Sequence, residues 1–374
     1  MAKKVLVLSN CPVVEYQGSG YVIVNTAKSL EELGYSVDII PPSSFSFLSF
    51  ISPRAQYYRI LMGMAVWVVK NRSLIPSYSS LIVYGSESAL AIFLLKVILR
   101  IPIPIILHSN GIEEHVNYRL NQFDRYINSK KKWYHFRRSF INNYCYKNVD
   151  MILTVSKYDR DYAVDHLKIP QERVFFNEPC LPELFFNETQ NKTFNKTHII
   201  TYCGTWILRK GVQAIEKVMP QILRKYPEYS FRIIGVGQEF DVKEHFPKDI
   251  IHKIEVFPLV ESKTHLIHLY SESQIFLFPS YCESFGLVVP EAMCCKCAVI
   301  TGPTGYSADL RDGQEALVLQ VPNADNISLA LERLINDSDL RKLLAKNGRI
   351  KSESLQWSSY TLKLSEIVNK LRNN

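Results

Sequence analysis

The sequence lacks any apolar run long enough to cross a bilayer. Its longest apolar stretch, Ala89 to Leu107, is broken by Lys96, Arg100, Pro102 and Pro104. A buried helix followed by a buried strand accommodates such breaks, and a spanning helix does not. The opening MAKKVLVLSNCP has only a short apolar run, Val5 to Leu8, before Ser9. It reads as a first buried strand rather than a signal peptide, so the expected location is the cytoplasm. A disulfide framework is also missing, because eight cysteines in 374 residues are too sparse for a stapled scaffold. Cys294, Cys295 and Cys297 cluster, but no second Cys or His group completes a tetrahedral set, so no metal is expected. Strong charge of one sign is absent as well. Lys and Arg number 44 against 36 Asp and Glu, a net +8. A nucleic-acid binder is more basic over a whole face, so that class is disfavoured.

What is present is an ordinary globular composition, 47% hydrophobic and 21% charged, which excludes disorder, collagen and coiled coil. At this length two domains are expected. The charge is uneven. The first 197 residues carry +7 and the remainder +1. Arg119 to Lys147 alone holds eight basic residues and one acid, Asp124. Trp133, Tyr134, Phe136, Phe140 and Tyr144 interleave with those charges, which suits an anionic membrane surface or an acidic acceptor. A helix with its aromatics packed on a sheet and its lysines solvated explains the same pattern.

Short apolar strands alternate with helical spacing along the chain. Strands are expected at Val5–Leu8, Val37–Ile40, 81–84, 103–107, Met151–Val155 and 173–176, with helices near 20–33, 55–70, 87–99, 128–147 and 157–167. The polar stretch 185–197 breaks the rhythm. It contains three Asn-x-Thr triplets, at Asn187, Asn191 and Asn195, and reads as a linker. A second alternating set follows, with strands near 199–203, 231–235, 254–257, 275–278, 298–301 and 316–319. Trp357–Leu371 has the spacing of a last amphipathic helix. The expected fold is α/β, with two doubly wound, Rossmann-like domains: 1–190, 198–355, and a C-terminal helix within 356–374 packing back toward the first domain. Parallel sheets covered on both faces follow from the alternation, and chemistry is expected in a cleft facing the carboxyl ends of the strands.

The richest segment is Phe278 to Thr301, FPSYCESFGLVVPEAMCCKCAVIT. A strand ends at Phe278, Glu283 stands in the following loop, and a helix is expected to open near Gly286. Backbone N–H groups of Phe285, Gly286 and Leu287 at that helix start would form an anion site suited to phosphate. Gly286 lets a ligand approach the backbone. Glu283 would then accept hydrogen bonds from sugar hydroxyls, and Glu291, about two turns further in, from a ribose diol. Three other patterns read as structural. Asp159-Arg160-Asp161 follows Ser156, a plausible N-cap, and reads as acid in a first helical turn. His265 and His268 lack a third ligand. Gly235-Val236-Gly237 is too short for a dinucleotide fingerprint.

ESFGLVVPE, Glu283 to Glu291, resembles the E-x7-E signature of retaining, nucleotide-sugar-dependent glycosyltransferases of the GT-B fold, family 4. YCGTWILRKG (Tyr202–Gly211) resembles that family's G-x-L-x-x-x-K-G loop. FRIIGVG, GYSADLRDG and SLQWSSY resemble later elements, and YQGSGYVIVNTAKSLEELGYSVDII, IILHSNGIEE, MILTVSKYDRDY and RVFFNEPCLPELF resemble N-domain ones. The resemblance implies that Lys210 meets the donor diphosphate, that Gly18 belongs to the N-domain glycine loop, and that His108 bonds a hydroxyl of the donor sugar. Thr205 stands where the family often has an arginine, and Arg209 is the candidate to supply that charge. His108, Lys210 and Glu283 are thus the expected catalytic group, and Gly18, Arg209, Phe285, Gly286, Leu287 and Glu291 the expected binding group. The nucleotide base is expected near Val256–Leu259.

The implied activity is transfer of a sugar from a nucleotide-diphosphate sugar, UDP- or GDP-linked, to a hydroxyl of a glycan, lipid-linked or small-molecule acceptor. The implied mechanism is retaining and uses no metal or other cofactor. Peripheral contact with an anionic membrane, on its inner face, is expected through 119–147. The alternatives are another GT-B enzyme such as a nucleotide-sugar epimerase, or a non-catalytic binder of sugar nucleotides or polyanions.

Overall fold

The structure, a computed structural model, describes residues 3–15, 18–48, 56–127, 135–190 and 192–373. The chain forms two compact units. Unit 1 comprises Met1–His115, Lys130–Pro179 and Ser358–Asn374; unit 2 comprises Val116–Ser129 and Cys180–Trp357.

Unit 1 is built on six parallel strands, β1 (Lys3–Leu8), β2 (Tyr35–Ile40), β3 (Ser80–Tyr84), β4 (Ile105–Ser109), β5 (Met151–Thr154) and β6 (Val174–Phe176). Their order is β2-β1-β3-β4-β5-β6. The central strands are apolar without alternation because helices cover both faces. The strand period of two then sorts their residues. Leu6, Leu8, Leu81, Val83, Ile105 and Leu107 join one core cluster with the helices Gln56–Lys70 and Ala89–Phe93. Val5, Ile82, Ile106 and His108 line a small cavity on the other face, beside Leu30 of the helix Gly18–Glu32 and Leu364 of the helix Trp357–Asn373. Those two helices are tied by Thr26 Oγ1 and Tyr360 Oη at 2.8 Å, and by Ser29 Oγ donating to Thr361 Oγ1 at 3.0 Å.

Unit 2 repeats the plan with β7 (Thr197–Cys203), β8 (Ser230–Ile234), β9 (Ile254–Phe257), β10 (Ser273–Phe278), β11 (Ala298–Thr301) and β12 (Leu317–Val318), in the order β12-β11-β10-β7-β8-β9. All its neighbouring strands are parallel.

The stretch read as a polar linker is partly structured. Glu183–Thr189 is a helix, and Phe185 within it is fully buried in unit 2. Adjacent apolar residues in a polar run carry no readable period, which is why the helix is hidden in the sequence. Of the helix expected at 128–147, His135–Asn148 is observed. Lys130, Lys131, Lys132, Trp133 and Tyr134 lie outside the described residues, as does Asn191. Asp159 stands in the first turn of the helix Lys157–Asp165, where its backbone N–H donates to the hydroxyl of the N-cap Ser156 at 3.2 Å, and its carboxylate faces His115 Nδ1 at 2.7 Å.

Candidate active site

In a doubly wound sheet the strand order reverses at one point, and the loops after the carboxyl ends of the flanking strands splay apart there. In unit 2 that point lies at β7 and β10, neighbours in the sheet. The loop after β7 begins at Gly204, with φ +144°, and continues to a single 3-10 turn, Leu208–Lys210. Gly211, in the left-handed region at φ +77°, then starts the helix Val212–Lys225. A β-carbon on Gly211 would stand 2.3 Å from the carbonyl oxygen of Pro279, so the two loops meet where only glycine fits. Trp206 anchors the first loop. Its indole N–H donates to Glu216 at 2.9 Å, and its ring meets Tyr202 edge-on.

The loop after β10 is fastened to the first one. The backbone N–H of Tyr281 donates to the Arg209 carbonyl at 2.8 Å, and the Ser280 hydroxyl reaches the same oxygen at 3.2 Å. Arg209 Nη1 donates back to the Cys282 carbonyl at 2.9 Å. Glu283 stands between the two cations of the turn. Its Oε1 lies 3.4 Å from Arg209 Nη1 and 3.6 Å from Lys210 Nζ, and accepts from Ser280 Oγ at 2.8 Å. The Glu283 backbone is clasped by Thr304, whose Oγ1 accepts its N–H at 2.7 Å and donates to its carbonyl at 3.0 Å. Lys210 also lies over the Phe278 ring, 5.0 Å from the centroid, and against Gly204, where an added β-carbon would come within 2.9 Å of its Nζ. Adjacent residues of an α-helix diverge, but Arg209 and Lys210 sit on a 3-10 turn before the helix, and both reach one carboxylate.

Gly286 follows at φ +85°, and the helix Val288–Cys294 starts two residues beyond it. Among the described residues, the N–H groups of Phe285, Gly286 and Leu287 make no hydrogen bond to the protein. Phe285 is buried against Tyr306, whose N–H holds the Phe285 carbonyl at 2.8 Å. Glu291 is 4% exposed and takes a hydrogen bond from Lys263 Nζ at 3.3 Å. Lys263 opens the helix Lys263–Glu272, capped by Ser262. Sequence reasoning missed Lys263, Ser280 and Thr304. Lys263 and Thr304 meet their partners across 28 and 21 residues of chain, so no short spacing announces them, whereas Ser280 lies three residues before Glu283 and its spacing was legible. Burial pushes the Cys203 thiol, at the end of β7, up to about 11. Near the expected base position, the carbonyls of Phe257 and Pro258 accept the N–H groups of Gly235 and Gly237, and Leu259 is exposed.

Cys294, Cys295 and Cys297 are buried free thiols. Lys196 Nζ donates to the Cys295 carbonyl at 2.7 Å, and Cys297 Sγ reaches the Tyr270 carbonyl at 3.1 Å. Among the described residues no three ligand-type side chains gather around one point.

Two of the expected residues belong to unit 1. His108 is in β4, with its ring 1% exposed. Nδ1 meets Tyr84 Oη at 2.8 Å, while Nε2 has no partner among the described residues. Burial lowers its pKa to about 3, so the imidazole is neutral. Gly18 begins its helix in the open, with nothing near a would-be β-carbon. The crowded glycine is Gly20, where a β-carbon would stand 2.4 Å from the Val14 carbonyl oxygen and 2.7 Å from that of Pro12.

Residues 185–351 match the family profile described as glycosyl transferases group 1, and residues 16–176 match glycosyltransferase family 4. An uncharacterized glycosyltransferase of Methanocaldococcus jannaschii is 25% identical over 246 residues, 65% of this chain and 64% of that protein. A D-inositol 3-phosphate glycosyltransferase of Corynebacterium kroppenstedtii is 24% identical over 59% of this chain and 53% of its own length. The alignments thus span about half to two thirds of these curated relatives. Among solved structures, a sucrose-phosphate synthase from Thermosynechococcus elongatus superposes with a TM-score of 0.77 at 16% identity, covering 99% of both chains. An Anabaena protein in complex with UDP-glucose superposes at 0.65 and 12% identity, covering 98% of this chain and 99% of its own.

Proposed function

This chain belongs to glycosyltransferase family 4, with the GT-B fold, and from that premise we propose that it transfers a sugar from a nucleotide-diphosphate sugar to an acceptor hydroxyl with retention at the anomeric carbon. The observation that carries this reading is the convergence of Arg209 and Lys210 on Glu283, beside the N–H groups of Phe285, Gly286 and Leu287. Two cations and three peptide dipoles then face the donor diphosphate. As the bond from the anomeric carbon to the diphosphate breaks, negative charge grows on the leaving oxygen. Groups already in place stabilise it without reorganising. The acceptor oxygen bonds to the anomeric carbon from the same face, and its proton passes to the departing phosphate. Glu283 is already held by Ser280 and Thr304, so it presents a fixed acceptor to the sugar hydroxyls. Glu291, held by Lys263, serves the ribose diol. The side chains supply the charge, so the reaction runs without metal. The resemblance assigns Gly18 and His108 to the donor side; for His108 that role would require the ring, held by Tyr84 and 1% exposed beneath the helices Gly18–Glu32 and Trp357–Asn373, to be uncovered.

Support for a UDP-linked donor comes from the fold-level neighbour solved with UDP-glucose. GDP-linked donors enter through a GDP-mannose-dependent mannosyltransferase of Corynebacterium glutamicum, 24% identical over 48% of this chain. The test is a thermal-shift screen against UDP-, GDP- and ADP-sugars, followed by product analysis with added acceptor. One donor class should raise the melting temperature, and the product should keep the donor's anomeric configuration. Lys210→Ala and Glu291→Ala should each lower transfer by at least about 100-fold. Folded variants that transfer at wild-type rates would sink the assignment.

A further inference from the structure

We propose that unit 1 docks on an anionic membrane surface through one face built by three helices: Gln56–Lys70, the continuous helical stretch Ala89–Ile98, and His135–Asn148. A groove of about 390 Å³ runs between them, lined by Leu61, Leu90, Phe93, Phe140, Ile141 and Tyr144. Phe140 is 81% exposed at its edge, although its neighbour Tyr144 packs against Phe93 with ring centroids 6.0 Å apart. The same helices expose Met62, Val97 and Ile98. An apolar surface this continuous on a helical face marks a docking site.

Charge selects the occupant. The three helices together contain six Lys and Arg, namely Arg59, Lys70, Lys96, Arg137, Arg138 and Lys147, and not one Asp or Glu. The run Lys130–Lys132 directly precedes the third of them in sequence. A protein-binding rim usually carries both signs. Lys96 pairs with Asp150, just beyond the third helix, at 2.7 Å, but the helices themselves offer cations and no acid, and apolar and aromatic side chains in that setting match an interface of acyl chains beneath anionic headgroups. Among the described residues no helix is long and apolar enough to cross a membrane, so the contact is one of surface insertion. The face lies wholly in unit 1, and the inference does not depend on sugar transfer.

The test is co-sedimentation of the full chain with vesicles of phosphatidylcholine alone and of phosphatidylcholine with about one third phosphatidylserine. Binding to the anionic vesicles should be at least about 10-fold stronger and should weaken steeply with salt. Phe140→Ser should reduce it about 10-fold or more, because a side chain already exposed loses only its insertion. A Lys130→Glu, Lys131→Glu, Lys132→Glu triple variant should lose the preference for anionic vesicles. Equal binding to both vesicle types overturns the proposal, as does wild-type binding by Phe140→Ser. A lipid-free dimer that Phe140→Ser dissociates also overturns it, by assigning the face to a second copy. Unchanged nucleotide-induced thermal shifts in these variants show that folding and donor binding are intact, so loss of vesicle binding is read separately from the transfer reaction.

Discussion

Glu283 is shared by two cations, and that sharing sets what its loss should do. Glu283→Gln leaves Arg209 and Lys210 without a carboxylate. Calorimetry should therefore find nucleoside diphosphate binding kept or tightened severalfold. Donor consumption should fall about 10–100-fold, the value of one oriented charged hydrogen bond; parallel losses of binding and turnover would contradict the assignment. His108 makes a pH prediction. Its folded pKa is about 3 against an unfolded value near 6.5, because burial disfavours the cation. Below pH 6.5 the unfolded chain takes up a proton that the folded chain refuses. Stability is thus fully present above that pH and falls on acidification toward 3, by up to about 1.4 kcal/mol per unit. Urea titrations of the wild type and His108→Gln should differ in slope over that window alone. Gly18 and Gly20 separate just as cleanly. Gly20→Ala should cost about 1–3 kcal/mol by overpacking on Pro12 and Val14. Gly18→Ala, with open space around it, should stay within about 0.5 kcal/mol.

At the scale of elements, the loops after β7 and β10 form one latched unit through Arg209, Ser280, Tyr281 and Cys282. Gly211→Ala should break the latch twice over, through its left-handed φ and through the 2.3 Å approach to Pro279. A lower melting temperature together with a lost nucleotide-induced shift is the expected result; loss of stability with the shift retained would mean that the latch does not shape the site. This also explains what could be read from the sequence. All twelve strands were legible: the central ones, buried on both faces, are continuous apolar runs between turn residues, and the edge strands β2 and β9, though only partly buried, keep the same alternation with helices. The Glu283–Glu291 segment was legible because strand, glycine turn and helix lie within one short stretch. The 3-10 turn at Leu208–Lys210 was not, since Lys-Gly at a helix entrance looks the same whichever turn precedes it. The Lys263–Glu291 pair was not, because it closes across 28 residues of chain. The burial of His108 was hidden too: a histidine at a strand end carries no mark of which helix will cover it.

On the scale of the molecule, each unit has its own sheet and core, and unit 1 is completed by the helix Trp357–Asn373. Ending the chain after Trp357 removes Tyr360, Leu364 and Ile367, all buried, from the face that holds Thr26 and His108. Calorimetric scanning of that truncation should show one transition moved down and a second, responsive to nucleotide, left near its original temperature. A single cooperative transition shifted as a whole would mean that the units do not melt separately. The threading has a further consequence during synthesis. Domains usually fold in order from the amino terminus as they emerge from the ribosome. Here the first unit to begin finishes after the second, because its final stretch, Ser358–Asn374, follows every residue of unit 2. Unit 2 has all its residues earlier, so the nascent protein passes through a stage with one domain complete and the other offering a bare apolar sheet face. That stage ends only when Ser358–Asn374 has emerged and can cover the face, so the first unit cannot be complete before the second.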